Sequence, residues 1–235
     1  MEFYAPNTQR IVGPVVMLPQ EGSASGGTNR PLNSFAILRP GYSILLDAAY
    51  SWCLAGIRRL AEEGHPPQAL VLSHRNTAGS GDAFAELRSE FDIPVLLHPD
   101  DQRHEEARDA GPYADPVGDP ALEEAGVRMI HMPGHTDGSI MLHVEDEGGI
   151  LLAGDSAVAP GPEQDAEPPR LERPVMPGAA EDRFIAEWQE IWAYAQPDAI
   201  LPLHGHCYLK RDLGDDAYRA AVENIWTGPP MDPRG

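Results

Sequence analysis

Five short apolar runs in this chain stop on, or lead directly to, an aspartate or a histidine, and this arrangement restricts the available folds more than any other feature. YSILLD ends on Asp47, and ALVLS is followed by His74. VRMIH leads shortly to His135 within PGHTDGS. ILLAG is followed by Asp155, and AILPL by His204. Runs of this length, bounded by polar residues and glycines, read as strands rather than helices. Between the first two, Cys53, Leu54, Ile57, Leu60 and Ala61 recur at helical spacing, and Gly64 supplies a stop. A chain alternating in this way is an α/β protein with helices packed on a sheet. Its strand ends converge at a sheet edge, so the five polar side chains are expected to line one cleft. A single histidine after a strand is ordinarily structural; five such placements argue for a site.

The remaining pattern extends this reading. Ile11–Leu18, Ser34–Leu38, Ala69–Leu72 and Pro94–Leu97 are expected strands, and Phe84, Leu87 and Phe91 mark a helix face. Later strands are expected over Val127–His131, Ile140–Val144, Ile150–Ala153 and Ala199–Leu203. Asp146, Gly148 and Gly149 suit a hairpin between the second and third of these. The acidic stretch 100–124 fits helix or loop equally. Six prolines between residues 160 and 177 exclude a helix or inner strand there, and the segment reads as a long exposed loop of the kind that covers a site. Two aromatic stripes, Phe184, Ile185, Trp188, Ile191, Trp192 and Tyr218, Ala221, Val222, Ile225, Trp226, read as buried helix faces. No repeat or linker interrupts the pattern, so one domain over residues 1–235 is expected.

With 42% apolar residues the chain has ample material for a core, and its net charge of −20 argues against nucleic acid and anionic membranes as partners. No basic-then-apolar leader opens the sequence and no apolar run approaches a membrane span. Cys53 and Cys207 lie far apart, outside any CxxC spacing, and read as packing residues. A cytoplasmic location and a small-molecule ligand or substrate are the resulting expectations; a homodimer is left open.

Two histidines and a carboxylate can hold zinc or iron on one face and leave positions for water or substrate. In this light the motifs resemble the metallo-β-lactamase superfamily over most of the chain. LNSFAIL and YSILLDAA look like its opening strands with the first aspartate, Asp47. PGHTDGS is similar to its third motif, LLAGDS to the fourth with a bridging Asp155, and LPLHGH to the last, with His204 and with Leu203 where a glycine is usual. The resemblance implies a four-layer αββα sandwich with a metal cleft at one edge of the two sheets. It also implies hydrolysis of a small ester, lactone or thioester.

The second motif departs from the family pattern HxHxDH. Here it is His74-Arg75-Asn76-Thr77-Ala78-Gly79, while Gly81 still matches the glycine that opens the following helix. Alanine and glycine cannot supply the carboxylate and imidazole that hold the family's second metal. The resemblance therefore implies one zinc or iron ion, or none. His74, His135, Asp155 and His204 are the implied ligands, with Asp155 and His204 as catalytic groups and Asn76, Asp47 or His206 in support. The alternative is a non-hydrolytic or metal-free small-molecule binding protein of the same fold. Of the other histidines, His131 is expected to wall the cleft, His98 to be structural, and His65 and His143 to lie on loop and strand surface.

Overall fold

The computed structural model describes residues 8–20, 32–160, 169–176 and 178–231. One mixed sheet contains β1 (Gln9–Val12), β2 (Val15–Met17), β3 (Phe35–Arg39), β4 (Tyr42–Leu46), β5 (Pro67–Val71) and β6 (Val95–Leu96), in that spatial order. The other contains β7 (Val127–His131), β8 (Ile140–Val144), β9 (Ile150–Gly154), β10 (Ala199–Pro202) and β11 (Tyr208–Leu209), arranged β11-β10-β9-β8-β7. The helices are α1 (Leu54–Glu62), α2 (Arg75–Ser80), α3 (Phe84–Phe91), α4 (Pro99–Gln102), α5 (Pro120–Glu124), α6 (Gly178–Ala195), α7 (Lys210–Leu213) and α8 (Asp215–Thr227).

Side-chain alternation explains the layers. In β4, Ile44 and Leu46 face the second sheet, packing in one cluster with Leu142, Val144, Ile150 and Leu152. Leu45 points the other way, into a cluster with Ile57, Leu60, Phe84 and Leu87 from α1 and α3. Both faces of the strand are therefore buried, which is why it reads as an unbroken apolar run instead of an alternating one. The second sheet repeats the arrangement: Met141, Leu151 and Ile200 pack outward against Phe184 and Trp188 of α6 and Tyr218, Val222 and Ile225 of α8. Helix, sheet, sheet and helix thus form the expected four-layer αββα sandwich. Trp188 is wholly buried, and its Nε1 donates to Ser156 O at 2.9 Å, tying α6 to the turn after β9.

Three stretches differ from their expectation or complete it. Residues 11–18 form a hairpin, because Gly13, at φ +48°, and Pro14 turn the chain between β1 and β2. The acidic stretch resolves into α4, a 3-10 turn over Glu105–Ala110, and α5; prolines start both helices, and Asp119 Oδ1 caps α5 by accepting from Ala121 N at 2.9 Å. Of the proline-rich loop, residues 161–168 and Pro177 lie outside the described residues. Residues 169–176 run against the body as a strap, with Glu172 paired to Val158 and the Arg173 guanidinium bonded to Glu181, Ile225 O and Gly228 O. Among the described residues no helix is long and apolar enough to cross a membrane.

Candidate metal centre

His74 and Asp155 follow strands that belong to different sheets. His74 stands at the N-terminus of α2 just past β5, Asp155 just past β9, His204 just past β10, and His135 in the loop between β7 and β8. The His74 Nε2 to Asp155 Oδ2 distance is 3.6 Å, and His135 Nε2 lies 3.5 Å from the same oxygen. The two imidazoles meet edge to face at 84°, with centroids 4.8 Å apart. His204 approaches the other carboxylate oxygen, its Nε2 3.8 Å from Asp155 Oδ1. Four of the expected residues therefore share one place, divided by the carboxylate into a His74/His135 side and a His204 side.

The donor set fits a single metal on the first side. A tetrahedral zinc with bonds of about 2.0–2.2 Å needs donor atoms roughly 3.3–3.6 Å apart, and both Asp155 Oδ2 spacings meet that need. Burial, only partly offset by Asp155, lowers the His74 pKa to about 4, so its imidazole is neutral at pH 7. Its Nδ1 bonds Ser73 Oγ at 2.9 Å, which with Nδ1 donating leaves the Nε2 lone pair on the Asp155 side. Asn76 faces the same space, its Nδ2 3.1 Å from His135 Nε2. An amide hydrogen there occupies a lone pair that a metal would use, so loading requires Asn76 to turn or yield. Ala78 is buried in the apolar cluster beneath the first sheet, and Gly79 lies in α2 against the Glu106 carbonyl, so neither offers a donor to the His204 side.

The supporting shell is only partly legible in the sequence. Asp47 is fully buried, adopts a left-handed backbone at φ +51°, and accepts from Ser73 N at 2.8 Å through Oδ1. Burial raises its pKa to about 7 despite the bond from Ser73. It supports the residue before His74 without touching the cleft cavity. Asp101, hidden in the acidic stretch, was not marked by any motif. Its buried carboxylate accepts from Arg75 N (2.8 Å), Arg75 Nη1 (3.1 Å), Thr136 Oγ1 (2.7 Å) and Gly138 N (3.0 Å). It thereby joins the residue after His74 to the residue after His135. Asn33, equally buried, donates to Pro202 O at 2.9 Å and Gly205 O at 2.8 Å, and so brackets His204. At Gly205, φ +85°, a Cβ would collide with the Ala159 carbonyl, so this turn admits only glycine.

The cleft is a cavity of about 320 Å³. Leu32, Val158, Pro174, Leu203 and Met231 supply much of its apolar wall, so the strap does reach the site through Pro174. Tyr50 and Trp52 stack at 4.5 Å and 7° on another side, and Tyr50 OH meets Ser80 Oγ at 2.9 Å. His206 is not among the lining residues. Nor does His131 wall the cleft: it lies flat on His98 with centroids 4.0 Å apart, because β7 is an edge strand and turns its end away from the cavity. His143, expected on a strand surface, is buried, since the outer face of β8 is covered by the chain around Pro197 and Arg128.

No family model and no curated protein sequence matches the chain. Solved structures do. A metallo-β-lactamase from Erythrobacter litoralis, with β-mercaptoethanol in its active site, is 17% identical; the match covers 92% of this chain and 94% of that one, at a TM-score of 0.64. The DIM-1 metallo-β-lactamase exposed to ceftazidime is 13% identical over 92% and 96%, at 0.65. The metallo-β-lactamase FIM-1 from Pseudomonas aeruginosa, in its mono-zinc form, is 16% identical over 92% of both chains, at 0.62. The fold of this chain is that of the metallo-β-lactamases.

Proposed function

We propose that the cleft is a one-metal hydrolase site acting on a small ester, lactone or thioester. The observation that carries this reading is the spacing of His74 Nε2 and His135 Nε2 about one Asp155 oxygen, 3.6 and 3.5 Å. His74, His135 and Asp155 would hold a zinc or iron ion, with Asn76 beside them to offer a further oxygen donor. A bound divalent ion lowers the pKa of its water and polarises a carbonyl. His204 stands across the carboxylate, its Nε2 3.8 Å from Asp155 Oδ1 and its Nδ1 buried, where an imidazole is placed to serve as a proton carrier beside the metal side. The stacked Tyr50–Trp52 wall and its apolar neighbours take the organic part of the substrate and exclude water from it. That FIM-1 with the same fold is found in a mono-zinc form supports a single-metal occupancy.

A second reading, a metal-free cleft that binds a small molecule without hydrolysing it, is favoured by the Asn76 bond to His135 Nε2. Elemental analysis of protein purified without added metal, followed by assays on ester, lactone and thioester panels before and after chelation, separates the two. Metal-dependent turnover that disappears in His135→Ala supports the hydrolase. Metal-free protein that binds but never turns over these compounds, even after zinc loading, supports the second reading.

A further inference from the structure

Outside the cleft, a second group of donors gathers where the edge strands of the two sheets come together. His98 follows β6 of the first sheet, His131 ends β7 of the second, and Asp100 lies in the first turn of α4. One donor atom from each lies within 4.8 Å of the other two. Hydrogen bonds settle the tautomers. His98 Nδ1 accepts from Asp100 N at 3.3 Å, so its lone pair is engaged in a long bond that an arriving ion must displace. His131 Nε2 lies 2.9 Å from the Asp137 carbonyl, which can only accept, so Nε2 carries the proton and Nδ1 the lone pair. Asp100 Oδ2 sits 3.7 Å from His98 Nδ1, and Oδ1 faces the exposed Arg103.

We propose that His98, Asp100 and His131 form a second divalent-metal site, for zinc or a similar borderline ion, that clamps the edge of one sheet to the edge of the other. Two neutral imidazoles and one carboxylate are the donor classes such ions take. The bond from His131 Nε2 to a backbone carbonyl is the outer contact that orients a ligating histidine. His98 and His131 come from different sheets, so binding adds a further cross-link beside the bonds of Asp101 to Thr136 and Gly138. The rings now lie parallel, 14° apart. Imidazole lone pairs lie in the ring plane, so His131, which is exposed, tilts out of the stack on binding.

The test is zinc titration, by calorimetry, of a His135→Ala variant in which the cleft is disabled. One zinc per chain and a rise in melting temperature with zinc are expected. Adding His131→Ala, an exposed position where the fold should survive, is expected to weaken that binding by more than about tenfold and abolish the thermal shift. Asp100→Asn should weaken it too. Should His135→Ala not fold by circular dichroism, the comparison becomes wild-type stoichiometry against His131→Ala alone, which should bind one zinc fewer. No zinc in His135→Ala, or binding indifferent to His131→Ala, overturns the proposal. Zinc bound by His135→Ala with the same stoichiometry as wild type upholds it while showing the cleft itself to be metal-free.

Discussion

Replacing Asp101 by asparagine tests how the two histidine-bearing segments are held in register. The carboxylate takes four hydrogen bonds, two on each oxygen: Arg75 Nη1 and Gly138 N on Oδ1, Arg75 N and Thr136 Oγ1 on Oδ2. An asparagine carbonyl placed at Oδ1 keeps the first pair. Its amide nitrogen then meets the Arg75 backbone N–H, donor against donor, while Thr136 can turn its hydroxyl to Ser139 Oγ, 2.8 Å away. The loss is one charge-assisted bond, worth about 1.5–3 kcal/mol, and one donor left unpaired, worth about 1–3 kcal/mol. These overlap, so the expected destabilisation is about 2–4 kcal/mol, read from urea unfolding of metal-free protein with the slope unchanged. Zinc affinity of the cleft should fall by roughly 10- to 100-fold, because both segments that orient its histidines are loosened. Burial pushes the Asp101 pKa up, but the bonds from Thr136, Arg75 and Gly138 outweigh it and leave it below the ordinary 3.8. Stability from a depressed carboxyl is complete above its unfolded pKa and lost as pH falls through the folded one. The gap between wild type and Asp101→Asn should therefore be constant near neutral pH and close only below pH 3.8. A change in stability under about 0.5 kcal/mol at pH 7 would refute the pinning role.

In a His131→Ala background, elemental analysis should find at most one tightly held metal per chain, and two would contradict the one-sided cleft. Asn76→His alone should raise zinc affinity by more than about tenfold. The triple change Asn76→His, Ala78→Asp, Gly79→His should also bring metal uptake up by about one ion in any variant that folds. A Cβ at Gly79 comes within 3.1 Å of the Glu106 carbonyl, so a thermal melt of Gly79→His alone should show the cost of this. Arg173→Met should destabilise by about 2–4 kcal/mol and make the strap the first site of limited proteolysis, since it removes three anchors to α6 and α8. Burial raises both thiol pKa values to about 12, so a thiol reagent at pH 8 should label Cys53 and Cys207 only on unfolding.

The strands were readable because both of their faces are buried, which gives apolar runs such as YSILL and ILLAG that nothing else in the chain imitates. The residues at their ends were readable for the same reason: a polar side chain immediately after such a run marks a sheet edge. His74, Asp155 and His204 are legible in this way, and His135 through its place in PGHTDGS after the edge strand β7. Asp101 was not, because its importance comes from backbone and side-chain donors that arrive from distant loops, and within PDDQ it looks like any surface acid. Asn33 escaped for the same reason. The place of His131 depended on which strand lies at the edge of its sheet, and strand order is a tertiary property that local periodicity does not carry. The hairpin in residues 11–18 was signalled by Gly13-Pro14, a pair strong enough to break the run.

The pin at Asp101 has a consequence for kinetics. His74 and His135 are brought to their spacing by carboxylate, amide and hydroxyl bonds within the protein, so only the rotation of the Asn76 side chain remains when an ion arrives at the cage. An ion entering such a cage orders little chain, and its release strands little. Uptake should then follow a single second-order rate with no slow conformational phase, and stripping the ion with a chelator should leave the far-ultraviolet circular dichroism unchanged.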